Sequence, residues 1–205
     1  MRWLWCCWLV AGCSYNPTPA GSPVDGAPGD SDTSTEGNPT AFARRINVAG
    51  NAYTGVDFGG DWEQDPGICN GTTWTVTAGI RNTNDGPLFS NHRFAIPDLQ
   101  CAVPNIPAGT YQVTLVFGPT YYWCPGAQSQ KDQRFRITLE GNEVEADYNV
   151  SADSGGCVLD TSDMTAAHPV SKTYTLTIDD GELDVDETAP ANESAMLSAI
   201  AIVEM

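Results

Sequence analysis

The chain of 205 residues is short of positive charge. Lysine and arginine total nine against 26 aspartates and glutamates, a formal charge of −17 at pH 7. A surface of that sign repels phosphate backbones and argues against nucleic-acid binding. Histidine is scarce, with His92 and His168 the only two. That is too few for a multi-histidine metal centre and argues against a histidine-based triad. His92, beside Arg93, reads as a plain surface residue. The sequence has no GxSxG elbow, no HExxH pair and no phosphate-binding glycine loop. Long apolar runs are also missing. The longest near the start, Trp3 to Ala11, falls well short of a membrane span. Hydrophobic residues still make up 41% of the chain, enough for the core of one ordinary domain.

The first 40 residues are not read as domain. Residues 1–12 carry one basic residue, Arg2, then the apolar run, which is the layout of an export signal. Val10-Ala11-Gly12 directly precedes Cys13, as in a bacterial lipobox, where the cysteine is lipidated and becomes the new N-terminus. An ordinary signal cleaved near Gly12, giving a secreted protein, is the alternative. Residues 13–40 then supply the lipidated Cys13 and a tether of Pro, Gly, Ser, Thr and Asp with little to bury. The expected location is extracytoplasmic, held on a bacterial membrane by lipid alone, with the outer membrane favoured because no aspartate follows Cys13.

Of the seven cysteines, Cys6 and Cys7 leave with the signal and Cys13 takes lipid. Cys69, Cys101, Cys124 and Cys157 remain, an even set that reads as two disulfides with three possible connectivities. The spacings are wide and contain no CxxC, so no zinc site is expected. Residues 133–139 and 142–150 look like a hairpin turning at Gly141-Asn142. Its flanks would lie together, favouring Cys124–Cys157 and leaving Cys69–Cys101 by elimination.

From residue 41 onward the period is two. Tyr111, Val113, Leu115 and Phe117 share one face of TYQVTLVF. Phe135, Ile137 and Leu139 do so in QRFRITL, and Tyr174, Leu176 and Ile178 in KTYTLTI. Asp179-Asp180-Gly181 gives a second hairpin signal before ELDVD, and MLSAIAIVE reads as a strand covered on both faces. RRINVAG, TWTVTAGI and HRFAI supply further strands. No window shows a helical period. About ten short strands with frequent turns predict an all-β protein, an antiparallel β-sandwich of jelly-roll or galactose-binding-like type over residues 41–205.

Carboxylates are the only abundant reactive groups. The run Asp179, Asp180, Glu182, Asp184, Asp186 and Glu187 lacks the DxDxDG arrangement of a calcium loop and reads as a hairpin with solvated carboxylates. No metal and no cofactor is expected. Asn70, Asn149 and Asn192 stand in glycosylation sequons that are incidental in a bacterial chain. The segment Tyr121-Tyr122-Trp123 follows the strand ending at Phe117. Three consecutive aromatics cannot all enter one core from a loop. Either one is exposed, offering a face on which a sugar ring can stack, or Trp123 and one tyrosine cover the core edge beside Cys124.

The segments RINVAGNAYTGVDFGGDWEQD, TYQVTLVFGPTYYW, QRFRITLEGNEV, LTIDDGELDVD and SAIAIVE, in this order, resemble the malectin family over roughly residues 44–205. The resemblance implies a sandwich that binds glucose-containing oligosaccharides through loop aromatics and an acidic residue at one end. Tyr121 and Tyr122 fall at the family's adjacent aromatic pair. Trp74 and Phe94 fall near two further aromatics, which are tyrosines in the family, and Glu193 near the acidic residue. On this basis the chain is expected to be a non-catalytic carbohydrate-binding module whose partner is an oligosaccharide or polysaccharide. The alternatives are an envelope lipoprotein that uses the same fold to bind a protein, and a small glycoside-active enzyme with two carboxylates in one cleft.

Overall fold

Sequences that alternate apolar and polar residues have one stable use, a strand with one face buried. The computed structural model describes residues 41–75, 83–118, 133–154 and 168–205, which belong to one unit, Pro39–Met205. Its strands are β1 (Ala43–Asn47), β2 (Tyr53–Thr54), β3 (Asp61–Gln64), β4 (Thr72–Thr75), β5 (Asn91–Ala95), β6 (Asp98–Pro104), β7 (Gly109–Phe117), β8 (Arg134–Leu139), β9 (Asn142–Asn149), β10 (Val170–Ile178), β11 (Glu182–Thr188), β12 (Ala195–Leu197) and β13 (Ala199–Glu204). Two single helical turns, α1 (Gly86–Phe89) and α2 (Val150–Asp153), interrupt them. The protein is therefore all-β, as its period predicts.

A six-stranded sheet has the order β10-β7-β13-β1-β3-β2 and a four-stranded sheet the order β6-β11-β8-β9. All pairings are antiparallel except β1 with β3. Tyr111, Val113, Leu115 and Phe117 of β7 enter one core with Phe135, Ile137 and Leu139 of β8 and Leu183 and Val185 of β11. Each such side chain contributes about 1.5–3 kcal/mol by leaving water, and this layer holds the two sheets together. On the far side of β7, Val116 joins Trp62, Leu88, Phe89 and Ala199 in a second cluster, roofed in part by α1.

The third sheet, β12-β5-β4, grows from a break in the last strand. β13 pairs with β7 and β1, while β12 pairs with β5. The break falls at Ser198, which is fully buried. Its N–H donates to Val116 O at 3.0 Å, and its Oγ accepts from Gly118 N at 2.9 Å. The covered strand expected over MLSAIAIVE is thus two strands that serve different sheets.

Phe42, near the start of the described residues, and the C-terminal Glu204 and Met205 lie at the Tyr111 end of β7. The Phe42 ring packs edge-on against Tyr111 at 5.8 Å. Phe42 N donates to Glu204 Oε2 at 2.8 Å, and Met205 N to Thr110 O at 3.0 Å.

Several local expectations are revised. The hairpin β8–β9 exists, but its turn centres on Glu140-Gly141, both with positive φ (49° and 68°), one residue earlier than expected. Asp179-Asp180-Gly181 does not close a hairpin. β10 pairs with β7, whereas β11 pairs with β6 and β8, so the turn is a corner between the two sheets. Glu187 is not a solvated carboxylate. It follows Leu183 and Val185 on the inward face of β11 and has no exposed surface.

The Cys69–Cys101 disulfide is formed. It joins the lead-in of β4 to β6, where the two cysteines also form a β-bridge. Cys13, Cys124 and Cys157 lie outside the described residues. The flanks of the hairpin do meet, with Val150 N donating to Gln133 O at 3.1 Å.

Two outcomes are expected. The Cys69–Cys101 bridge spans 32 residues, so its loss in a Cys69→Ser/Cys101→Ser variant should cost about 3–4 kcal/mol of unfolding free energy on the loop-entropy relation, read by denaturant titration. Burial raises the Glu187 pKa well above the ordinary carboxylate range. The folded state then holds a proton that the unfolded state releases. The stability this provides is complete below the unfolded pKa and is lost as pH rises through the folded one, at up to ~1.4 kcal/mol per pH unit. Glu187→Gln should remove that decline in titrations from pH 5 to 8, and an unchanged slope would refute the assignment.

Candidate functional site

Directly opposed residues of an antiparallel pair place their side chains on the same face. In the β12-β5-β4 sheet, Trp74 opposes His92, Thr72 opposes Phe94, and Phe94 opposes Met196. One face of this sheet therefore collects Trp74, His92 and Phe94. The Trp74 and Phe94 rings meet edge to face at 6.2 Å, with 77° between their planes. Trp74 is 40% exposed, one of few large apolar side chains open to solvent among the described residues. Phe94 is half-buried and packs against the main core. On a face that is otherwise turned inward, Trp74 presents one open ring anchored by Phe94, a surface on which an apolar C–H face can stack.

The backbone beneath is closely fitted. Gly71 has φ of +79°, and a Cβ there would lie 2.2 Å from Phe94 O, so no other residue lets β4 approach β5 this closely. On the opposite face, Arg93 donates to Asp65 Oδ2 at 2.5 Å, and Asp65 Oδ1 accepts from Gly67 N at 2.8 Å. This pair is largely buried and pins β5 to the exit of β3.

Glu193 lies two residues before β12 and is half-buried, with its N–H donating to Pro190 O at 2.9 Å. Ala195 then pairs with Ala95, next to Phe94. Tyr121 and Tyr122 lie outside the described residues. The residues at either end of that segment are both tied to the strand after Glu193. Gly118 is held by Ser198, and Gln133 Nε2 donates to the Ser194 backbone oxygen and, at 3.1 Å, to Ser194 Oγ. The structure thus brings Trp74 and Phe94 into contact and places Glu193 just before the strand that pairs with β5.

Three contributors escape the sequence reading. His92 is buried, not on the surface, with its ring 6.5 Å from Phe94 and no partner on Nδ1 among the described residues. Its signal was the period of β5, which puts it in phase with Phe94. Glu187 supports β12 from below by accepting Met196 N at Oε2, 3.1 Å away. Gln133 closes the other flank, and nothing in its type or spacing marks it. Among the described residues no group of three His, Cys, Asp or Glu side chains could hold a metal ion.

Burial holds His92 neutral and lowers its pKa to about 4. The unfolded imidazole takes up a proton below about 6.5, so the stability provided by neutral His92 is intact above that pH and is lost as pH falls toward 4. A His92→Gln variant should lose less stability than the wild type between pH 7 and 5 in urea titrations. Equal losses would show that His92 is not sealed.

The matching family model is the malectin domain, over residues 42–203. A search of curated proteins returns no match. Among solved structures, a Bacteroides uniformis beta-glucuronidase is 21% identical, with a TM-score of 0.61 over 80% of this chain and 18% of that one. The ANXUR2 extracellular domain from Arabidopsis thaliana is 15% identical, with a TM-score of 0.60 over 80% of this chain and 48% of that one. A complex of plant peptide RALF23 with FER and LLG2 gives 18% identity and a TM-score of 0.56, over 79% and 48%. This chain thus spans about a fifth of the glucuronidase and about half of the receptor chains. At these identities the likeness is one of fold. The family match covers nearly all of the described β-structure, and the chain belongs to the malectin domain family.

Proposed function

We propose that this chain is a non-catalytic carbohydrate-binding module that takes glucose-containing or related uncharged oligosaccharides on the Trp74–Phe94 surface. The observation that carries the reading is the exposed Trp74 ring set against half-buried Phe94, on a sheet whose strand β12 is flanked by Ser194 and Ser198, the residues that hold the two ends of the segment containing Tyr121 and Tyr122. Tyr121 is three residues from Gly118, a chain reach of at most about 10 Å. Tyr121 and Tyr122 would extend the stacking surface, and Glu193 would orient sugar hydroxyls. The net charge of −17 disfavours sulfated and uronic glycans. Export and lipidation at Cys13 belong to the same proposal and place the module on the outer side of a bacterial membrane.

The RALF23 complex, a structural neighbour that engages a peptide, supports a second reading. In it the same surface receives a protein of the cell envelope.

The test is a glycan array probed with the oxidised chain, its Tyr121→Ala/Tyr122→Ala variant and Trp74→Ala. Selective binding to a neutral glucan, abolished in the double variant and about tenfold weaker (~1.4 kcal/mol) in Trp74→Ala, is the expected result. Failure of the folded wild type to bind any glycan would overturn the module reading in favour of the protein-partner one.

A further inference from the structure

A second concavity lies away from the exposed aromatic pair. It is an open cleft of about 190 Å³ lined by Asn47, Asn51, Tyr53, Pro87, Ser90 and Asn91. It sits where β1 ends, α1 passes and β5 begins. Its chemistry contrasts with the rest of the chain. In a protein with 26 acidic residues, no carboxylate and no basic side chain lines it. Three side-chain amides and a hydroxyl alternate with the ring of Tyr53 and the apolar ring of Pro87.

Among the described residues, several of its polar groups remain free. Asn47 Nδ2 donates to Asn51 O at 2.8 Å, holding the turn, while Asn47 Oδ1 has no partner and the residue is 1% exposed. Asn91 Oδ1 accepts from Thr75 Oγ1 at 2.8 Å, leaving its Nδ2 uncommitted. Ser90 Oγ donates to Gly86 O at 2.9 Å and keeps its lone pairs. The Asn51 side chain makes no hydrogen bond among the described residues and stands exposed at the rim. The cleft therefore offers both donors and acceptors, all neutral, beside two apolar surfaces.

The walls are also fixed before any ligand arrives. A Cβ on Gly50 would fall 2.3 Å from Asn47 Nδ2, so a larger residue there would push the Asn47 amide from its place in the cleft wall. Tyr53 OH is held by Asp85 Oδ1 at 2.8 Å, and Asp85, fully buried, also accepts from Val56 N and Phe58 N. A preformed site loses little free energy to ordering on binding.

We propose that this cleft is a second binding site for a single uncharged hydroxylated ring, of the size and chemistry of one pyranose. An ionic ligand has no counter-charge there, and the volume is below that of a drug-sized pocket. Ring hydroxyls would take the free amide and hydroxyl groups, and the C–H face would lie against Tyr53 or Pro87. The site does not depend on the Trp74–Phe94 surface, because Thr75 and Asn91 face away from Trp74 and His92 across the β4–β5 pair.

The experiment is an amide NMR titration of the full chain with glucose, and with glucuronate as the charged comparator. Saturable glucose shifts at the backbone and side-chain amides of Asn47, Asn51, Ser90 and Asn91 are expected, with glucuronate weaker by tenfold or more. Asn51→Ala should weaken glucose binding at these amides at least tenfold without lowering the thermal midpoint, and Tyr121→Ala/Tyr122→Ala should leave it unchanged. Glucose shifts confined to Trp74, Phe94 and their neighbours, equal shifts with glucuronate, or none at saturating sugar would each overturn the proposal. Loss of glucan binding at the aromatic surface with the cleft shifts intact would count against the module reading alone.

Discussion

The bond from Gly118 N to the buried Ser198 Oγ extends the β7–β13 pairing by one step, to the point where the final strand changes sheet. Ser198 is where the final strand leaves the six-stranded sheet, so that the next three residues back along the chain can build a different one. An apolar residue at this point would leave Gly118 N unpaired in a dry environment, a cost of about 1–3 kcal/mol. The polar side chain therefore settles where β7 stops and where the segment carrying Tyr121 and Tyr122 departs. The small sheet is held by its own ladders and by the Met196 N–Glu187 bond, and this hydroxyl fixes where it branches from the larger one.

The two buried ionisable groups of this region stand on different sides of the same constraint. His92 and Glu187 both belong to strand faces that look inward, and both are kept uncharged by burial. Neither is compensated by an ion pair, in contrast to Arg93 and Asp65 on the opposite face of the small sheet. Neutral polar groups are what a region needs that must pack like a core and still hold the backbone of β12 by hydrogen bonds.

The alternation of β7, β8 and β10 was legible because each buries one face against the other sheet. Pairing was less so. Asp179-Asp180-Gly181 carries the residues of a tight turn whether the next strand returns beside β10 or crosses to the other sheet. Only the long-range partners of β11 decide between them. Glu187 and His92 were misread as exposed because residue type outweighed phase, although Leu183-x-Val185-x-Glu187 and His92-x-Phe94 place both with apolar neighbours. Trp74, Phe94 and Glu193 came from family resemblance, and the meeting of the two rings on one sheet, with Glu193 just ahead of its third strand, needed the β12–β5–β4 pairing, which joins residues 100 or more positions apart. Gln133 and the asparagine-lined cleft could not have been found from sequence. Their roles arise from orphaned hydrogen-bonding groups, which exist only once the chain has closed.

The placement of Phe42 and Met205 has a geometric consequence. β7 runs nine residues, about 30 Å, from Tyr111, where Phe42 and Glu204 gather, toward Gly118 and Ser198. Backbone enters at Phe42 and ends at Met205 beside one end of β7, with the length of that strand between them and Ser198, where the sheet carrying Trp74 and Phe94 branches off. The two ends of this unit stand together, a strand's length from the rings that β4 and β5 carry.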